Sequence, residues 1–353
     1  WHSWHARLLL TCDYDHQVMQ NPCLETTLYI LNRVVQYMEE AQLPKIAVSA
    51  CLLGEQVRYN GGHCNHRLLQ SVSKNIETIP ICPEVGIGMG TPRPTIRLVH
   101  EDEKIHLIEP KSGTDYTEDM MNWSELQSDF LLKQRISGII LKKDSPSCGL
   151  ERVKVYHNGN PRKEGQGVFA MVFTSLNPQI PAIEEGRLND AVQMENFFAR
   201  VGMMHRWWER DEQGWTLASL QQFHSEHKLL LQSRSPNAPA ALGRLISNHS
   251  DHHPQQLALE YITLAQSHMN TIVQRKHVAG ALRRAVGRLP ETISGKARQR
   301  VHSWIDGYLA GTAPRMAPLA VIEQMFEISE LEHLPWKRLF QPFDMNSGVF
   351  AKI

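Results

Sequence analysis

Three cysteines occupy similar places in the sequence, each shortly after a short apolar run. They are Cys51, Cys82 and Cys148. Thiolates are the ligands of iron–sulfur clusters, and three of them leave one iron of a four-iron cluster open to a soft substrate atom such as sulfur. Three buried cysteines without a cofactor are the alternative. Zinc sites usually include a Cys-x-x-Cys pair, which this sequence lacks, so zinc is disfavoured.

The apolar runs that precede these cysteines predict β-strands. They cover residues 45–50, 76–81 and 138–141. Residues 96–99 and 105–108 are typical of a hairpin, and residues 117–134 of a helix. Strands and helices in this order predict an α/β fold with a Rossmann-like, mainly parallel sheet. Because such sheets bind ligands beyond the carboxyl ends of their strands, we expect the three cysteines to meet at that edge.

The length of 353 residues favours two domains, since a single core rarely grows so large. We predict an iron–sulfur domain at residues 45–188 and an all-α domain at residues 189–353. Residues 1–44 are treated as a leader, with a helix expected over residues 25–42. The sequence has no membrane-spanning apolar run and no secretory signal, so we expect a cytoplasmic protein with free thiols.

Motifs around the three cysteines resemble those of the thiouracil desulfurase family. They are SACLLG (49–54), VRYNG (57–61), CPEV (82–85), TPRP (91–94) and SPSCG (145–149). The resemblance implies a four-iron, four-sulfur cluster with one open iron on Cys51, Cys82 and Cys148. It also implies catalytic roles for Glu84 and Ser145.

The resemblance further implies a non-redox replacement of sulfur by oxygen on a thiolated uracil. Iron acting as a Lewis acid would make the thiocarbonyl carbon more electrophilic. Glu84 would then take a proton from the attacking water, and Ser145 would donate to the ring nitrogen or hold the base in register. Arg58 and Arg93 also lie in these motifs and are candidates to contact a substrate phosphate or carbonyl.

The residues from 190 onward resemble the YbgA-like helical domain, so the chain from residue 45 onward resembles two-domain tRNA thiouridine desulfurases. Residues 275–300 hold eight Lys or Arg residues and a single acid. Such a concentration of charge predicts an RNA-binding surface, although a solvated helix face would look the same. The candidate RNA-binding residues are Lys276, Arg283, Arg284 and Arg288.

Three functions remain open at this point. The first is desulfuration of 4-thiouridine or 2-thiouridine in tRNA, and the second is desulfuration of free 2-thiouracil. The third is a redox or iron sensor with a structural cluster, which a fourth ligand at Cys64 would favour. Zinc binding by His224, His227 and the histidines at 249, 252 and 253 is a weaker alternative than packing. Neither a membrane nor DNA is an expected partner.

Overall fold

The computed structural model describes residues 42–72, 75–248, 253–328 and 337–339. The predicted helix over residues 25–42 therefore lies outside the described residues, apart from its last residue. Among the described helices, none combines the length and the apolarity that a membrane crossing requires.

Eight strands form two four-stranded sheets in the described part of the chain. They are β1 (Lys45–Ser49), β2 (Glu77–Ile81), β3 (Arg97–Glu101), β4 (Lys104–Ile108), β5 (Gly138–Leu141), β6 (Val153–His157), β7 (Asn160–Gly165) and β8 (Ala182–Glu184). The first sheet has the order β2-β1-β5-β8, and all three strand pairs in it are parallel. The predicted α/β fold with a parallel sheet is thereby confirmed.

The second sheet has the order β4-β3-β6-β7 and combines two hairpins. The antiparallel pair β3–β4 confirms the hairpin expected from the sequence. The antiparallel pair β6–β7 was not predicted, and a parallel contact between β3 and β6 joins the two hairpins.

Eleven α-helices are described. They are α1 (Arg67–Val72), α2 (Pro83–Gly86), α3 (Thr117–Lys133), α4 (Val168–Leu176), α5 (Ala191–Glu212), α6 (Leu217–Arg234), α7 (Ala238–Ser247), α8 (Pro254–Met269), α9 (Arg275–Val286), α10 (Gly295–Ala310) and α11 (Met316–Ile328). From α5 onward the described chain is helical, apart from the loops between helices, as the sequence predicted.

The central strands β1 and β5 are buried on both faces. Ile46, Val48 and Ile140 have no exposed surface and pack on one side of the sheet. Ala47 and Ile139 are equally buried and pack on the other side. Strands covered on both faces have continuous apolar sequences, which explains why both runs were recognisable in the sequence.

Helix α5 covers one of these faces, although it belongs to the helical part of the chain. Its Phe197 and Val201 share a core with Ile46 and Ile140. The contact is close, because a Cβ added at Gly138 would lie 2.7 Å from Cγ2 of Val201. The first helix after the predicted domain boundary therefore packs directly on the α/β sheet.

A buried ionic group holds the helical part together. Glu195 of α5 accepts a hydrogen bond from Arg234 of α6 at 2.7 Å and forms an ion pair with Arg315, which precedes α11. Burial opposes ionisation of Glu195, but the two guanidinium groups outweigh it and lower its pKa to about 2. A second core of α9, α10 and α11 packs nearby around Leu282 and Ile305.

Candidate active site

The three cysteines reach one cavity from adjacent strands. Cys51 lies in a single 3-10 turn, Ala50–Leu53, that follows β1, and Cys82 directly follows β2. Cys148 lies in the loop after β5. Because β2, β1 and β5 are neighbours and parallel, their carboxyl ends meet at one edge of the sheet. All three cysteines line a cavity of about 310 Å³ at this edge.

Hydrogen bonds to its backbone groups hold the loop that carries Cys148. Oγ of Ser145 accepts hydrogen bonds from the backbone N–H groups of Ser147 and Cys148, at 3.2 and 3.1 Å. The backbone N–H of Val168, at the start of α4, donates to the carbonyl of Pro146. Gly167 is also essential to this packing, because a Cβ there would lie 2.5 Å from the Ser147 carbonyl.

Burial makes the three thiols weak acids. Burial, and then the neighbouring Cys64 and Cys82, raises the pKa of Cys51 to about 11. Burial likewise raises the pKa of Cys82 and, still more, that of Cys148. Nearby cations, Lys142 and Arg58 for Cys51 and Arg93 for Cys82, oppose this effect but do not outweigh burial. The thiols therefore stay protonated near neutral pH and are poor nucleophiles. A bound metal centre would favour the thiolates, because coordinating thiols lose their protons.

Glu84 lies on the wall of the same cavity, in the short helix α2. Nε and Nη2 of Arg93 donate to its Oε2 at 2.8 and 2.5 Å. Oγ of Ser147 donates to Oε1 at 3.0 Å. The Arg93 side chain is only 4% exposed, and its Nη2 lies 4.0 Å from Sγ of Cys82. The carboxylate is therefore fixed beside the thiols by partners from two different loops.

Arg93 lines the same cavity and has a contact that the sequence did not predict. Its guanidinium binds Glu84, whereas we had considered it for a substrate phosphate or carbonyl. Arg58 also lines the cavity, with its guanidinium 5.6 Å from the centre of the Tyr59 ring.

Two residues at this edge were not singled out in the sequence. Ser147 is fully buried and joins the Cys148 loop to Glu84, and its place next to a cysteine was the available signal. Lys142 lines the cavity and is held by Glu185 at 2.5 Å, a long-range contact without a local sequence signal.

Cys64 does not line the cavity. Its backbone N–H donates to the carbonyl of Cys51 at 2.8 Å, and its side chain packs against the core on one side of the sheet. The structure therefore brings Cys51, Cys82 and Cys148 together on one cavity and leaves Cys64 beside it.

The histidines have packing roles where they are described. Nδ1 of His224 lies 3.1 Å from the Tyr261 hydroxyl, and Nε2 of His227 accepts a hydrogen bond from Arg206. Residues 249 and 252 lie outside the described residues. In the described ranges, no three His, Cys, Asp or Glu residues are grouped closely enough for one metal ion.

The four predicted RNA-binding residues are exposed, as that role requires. Lys276, Arg283 and Arg284 lie on α9, and Arg288 follows it. Arg283 pairs with Asp306 of α10 at 2.6 Å, and Arg284 donates to a glutamine of α6 at 2.9 Å. Part of this charge is therefore engaged within the helical region, and RNA binding stays a prediction.

Comparisons with known proteins agree with the motifs. The model of the 2-thiouracil desulfurase family matches residues 46–185. A solved structure, the [4Fe-4S]-dependent thiouracil desulfidase TudS, is 33% identical to this chain, which covers 94% of it. Residues 46–185 belong to the 2-thiouracil desulfurase family. The match to the TudS structure covers 42% of the present chain, with a TM-score of 0.34.

Two further matches concern a second relative of the desulfurase-family region and a family model for the helical region. An uncharacterized protein of Bacillus subtilis (strain 168), YbbK, is 29% identical over 150 residues, which are 98% of its length and 41% of this chain. A second family model, that of a protein family of unknown function, DUF1722, matches residues 228–344. A desulfurase-family region followed by a YbgA-like helical region is the arrangement that the sequence predicted.

Proposed function

We propose that this protein replaces sulfur by oxygen on a thiolated uracil, using a four-iron, four-sulfur cluster bound by Cys51, Cys82 and Cys148. The observation that carries the proposal is the convergence of these three thiols and Glu84 on one cavity. Membership of the 2-thiouracil desulfurase family supports the activity, and the description of TudS as [4Fe-4S]-dependent supports the cofactor.

The donor set suits such a cluster. Three thiols line one cavity, with Cys148 buried and Cys51 and Cys82 half-buried, and Cys64 lies off it. Among the described residues, the cavity therefore offers three cysteine ligands rather than four. When bound, the cluster would supply an open Lewis-acidic iron for the thiocarbonyl sulfur.

Glu84 is the candidate for the group that takes a proton from water. Its carboxylate is held by Arg93 and Ser147, so it needs little reordering to accept a proton. Oε2 already accepts two hydrogen bonds from Arg93, whereas Oε1 accepts one from Ser147. Because a carboxylate oxygen can accept two hydrogen bonds, Oε1 keeps the capacity to accept one from water. The overall change is hydrolytic: one water enters, oxygen stays on the ring carbon, and sulfur leaves as sulfide.

Ser145 is the candidate for the group that contacts the ring. Its oxygen already accepts two backbone hydrogen bonds, which fix its position on the cavity wall. The hydroxyl proton is left to donate to a ring nitrogen. A cavity of about 310 Å³ is at the small end of ligand sites, as a single base would require.

The substrate that we favour is 4-thiouridine or 2-thiouridine in tRNA. The exposed cations Lys276, Arg283, Arg284 and Arg288 support it, since phosphate contacts dominate RNA affinity. A base in folded tRNA must also be turned out to enter a small cavity, and a second region that grips the backbone would help. Free 2-thiouracil is the second candidate, favoured by the small cavity and by the name of TudS.

Sulfide release under anaerobic conditions tests the activity. Reconstituted protein is incubated with 2-thiouracil and, separately, with tRNA that carries 4-thiouridine or 2-thiouridine. We expect sulfide and the oxygenated base in equal amounts from at least one substrate. A protein that holds the cluster and releases sulfide from none of them is not a desulfurase, and the sensor function would replace this proposal.

Charge reversal separates the two substrates. Lys276→Glu is the cleanest change, because Arg283 and Arg284 also contact neighbouring helices. The matched control is Lys154→Glu, an exposed lysine on β6. We expect Lys276→Glu, and more strongly Arg283→Glu with Arg284→Glu, to slow tRNA desulfuration without changing turnover of free thiouracil. Equal losses on both substrates, or no loss on tRNA, would favour the free base.

A further inference from the structure

A second cavity, of about 640 Å³, lies between the α/β sheet and the helical region. Its walls come from β8, from the chain just after Cys148, from α5 and from the loop after α8. It shares no lining residue with the cysteine cavity. Its volume lies within the roughly 300–1,000 Å³ range of small-molecule sites.

Arg200 is a buried charge in the wall of this cleft. The residue lies in α5 and is only 7% exposed. Nε donates to Oε1 of Gln266 at 3.1 Å, and Nη1 donates to Oδ1 of Asn270 at 2.9 Å. Both partners are neutral amides. Burial lowers the pKa of Arg200 to about 10, which still leaves the guanidinium charged near neutral pH.

The other charged residues of the cleft have their own contacts. Arg187 forms an ion pair with Glu151. Asp190 caps helix α5 by accepting a hydrogen bond from the backbone N–H of Gln193 at 2.9 Å. In the described part of the chain no carboxylate reaches Arg200, and burial alone accounts for its lowered pKa.

A buried guanidinium without a counterion is costly, because its hydration is lost and nothing of opposite charge replaces it. The group has five N–H donors, and side chains of the described residues accept from two of them. The other donors can bind a carboxylate or phosphate in the bidentate geometry typical of arginine. Asn270 and Gln193 add polar groups to the same wall.

Apolar residues line another part of the cleft. Leu150, Ile183, Phe197 and Val273 line it, and Ile272 is 86% exposed beside them. An exposed isoleucine at a cavity is available to cover the apolar body of a ligand.

We propose that this cleft is a second binding site for a small organic anion, whose carboxylate or phosphate pairs with Arg200 and whose apolar body lies against Phe197 and Val273. The site is separate from the cysteine cavity and does not depend on the desulfurase activity.

Titration calorimetry on the full-length protein tests the site with benzoate, benzamide and inorganic phosphate as probes. Benzoate and benzamide have the same shape, and only benzoate carries a charge. We expect one saturable site for benzoate, weaker binding of phosphate and no measurable binding of benzamide. Absence of saturable benzoate and phosphate binding, or equal affinity for benzoate and benzamide, would overturn the proposal.

Two variants locate the site. Arg200→Met removes the charge and keeps the side-chain length. Asn270→Asp leaves Arg200 in place but gives it an internal carboxylate at the position of the present 2.9 Å contact. We expect each to weaken benzoate binding by at least about tenfold. Arg244→Met, an exposed arginine on α7, is the matched control and should bind as the wild type does.

Asn270→Asp keeps the test decisive if Arg200→Met does not fold. It should raise the melting temperature of the ligand-free protein, because the buried charge gains a partner, while the stabilisation by benzoate disappears. Benzoate binding at wild-type affinity in Asn270→Asp would show that the anion does not pair with Arg200.

Discussion

Arg93 provides a sharp test of how the candidate active site is organised. Arg93 lines the cysteine cavity, and its guanidinium holds Oε2 of Glu84 through two N–H groups, at 2.8 and 2.5 Å. Replacing it by Met removes both donors and keeps a side chain of similar length. We predict that Arg93→Met mainly lowers kcat, because Glu84 loses its fixed orientation.

The size of the loss follows from the contacts. A hydrogen bond to a charged group contributes about 1.5–3 kcal/mol. In Arg93→Met, water can replace part of the hydrogen bonding that Arg93 gives to Oε2 of Glu84, and Ser147 still holds Oε1 at 3.0 Å. We therefore count the loss of one hydrogen bond rather than two. At 1.36 kcal/mol per factor of ten, the expected loss in kcat is roughly 10- to 150-fold.

The assay is steady-state sulfide release under anaerobic conditions, with the visible absorption of the cluster recorded for every variant. A double-mutant cycle with Glu84→Gln isolates the interaction, since Arg93→Met should cost little once the carboxylate is gone. Arg58→Met is the control for coupling, because Arg58 lines the same cavity beside Tyr59 and does not bind Glu84. Its effect on kcat should be the same with and without the Glu84 carboxylate.

Two results would refute this account of Arg93. A raised KM with unchanged kcat would mean that Arg93 binds substrate, as the sequence alone had suggested. Equal losses from Arg93→Met in the presence and absence of the Glu84 carboxylate would mean that the ion pair plays no part in turnover.

Three further predictions concern other parts of the molecule. Glu84→Ala should keep the cluster absorption and lower turnover by about 100- to 10,000-fold, and Ser145→Ala should lose less; near-normal turnover of Glu84→Ala would remove it from the mechanism. Glu195→Gln should destabilise the fold by about 3 kcal/mol at pH 7, since the pKa of Glu195 falls from 4.5 to about 2 on folding. That stability is present above pH 4.5 and lost as the pH falls toward 2, so urea unfolding should show the two proteins converging in acid. Gly167→Ala should lower the iron content, because its Cβ would displace the Ser147 carbonyl that it meets at 2.5 Å; wild-type iron content would contradict this.

The sequence predicted the sheet edge well, for a physical reason. Strands β1 and β5 are covered on both faces, so their sequences are continuously apolar and easy to recognise. Parallel pairing then brings Cys51, Cys82 and Cys148 to one end of the sheet. Recognising the three strands and expecting them to be parallel was enough for that inference. Parallel strands place their carboxyl ends, and the residues that follow them, at the same edge of the sheet.

The second hairpin was missed because β7 is exposed at every residue except its last, so it has no apolar alternation to reveal a strand. The available signal was the turn itself: Asn158 and Gly159 both have positive φ angles, 47° and 83°, and Asn-Gly is a preferred pair for tight hairpin turns.

Contacts between distant segments could not be read from the sequence. Arg93 meets Glu84, and Ser147 meets the same carboxylate, only after two loops have taken their shapes. Helix α5 was expected in the helical domain, yet Phe197 and Val201 bury themselves against the α/β sheet. Periodicity identifies a buried helix face but not the surface that covers it.

The central claim is that Cys51, Cys82 and Cys148 hold an iron–sulfur cluster, and the iron and acid-labile sulfide content of anaerobically reconstituted variants tests it most directly. We predict about four irons and four sulfides per chain in the wild type and in Cys64→Ser. We predict loss of the cluster in Cys148→Ser, whose thiol is buried on the cavity wall, and likewise in Cys51→Ser and Cys82→Ser. A Cys148→Ser protein that retains its full iron content, with loss of iron in Cys64→Ser, would contradict the account.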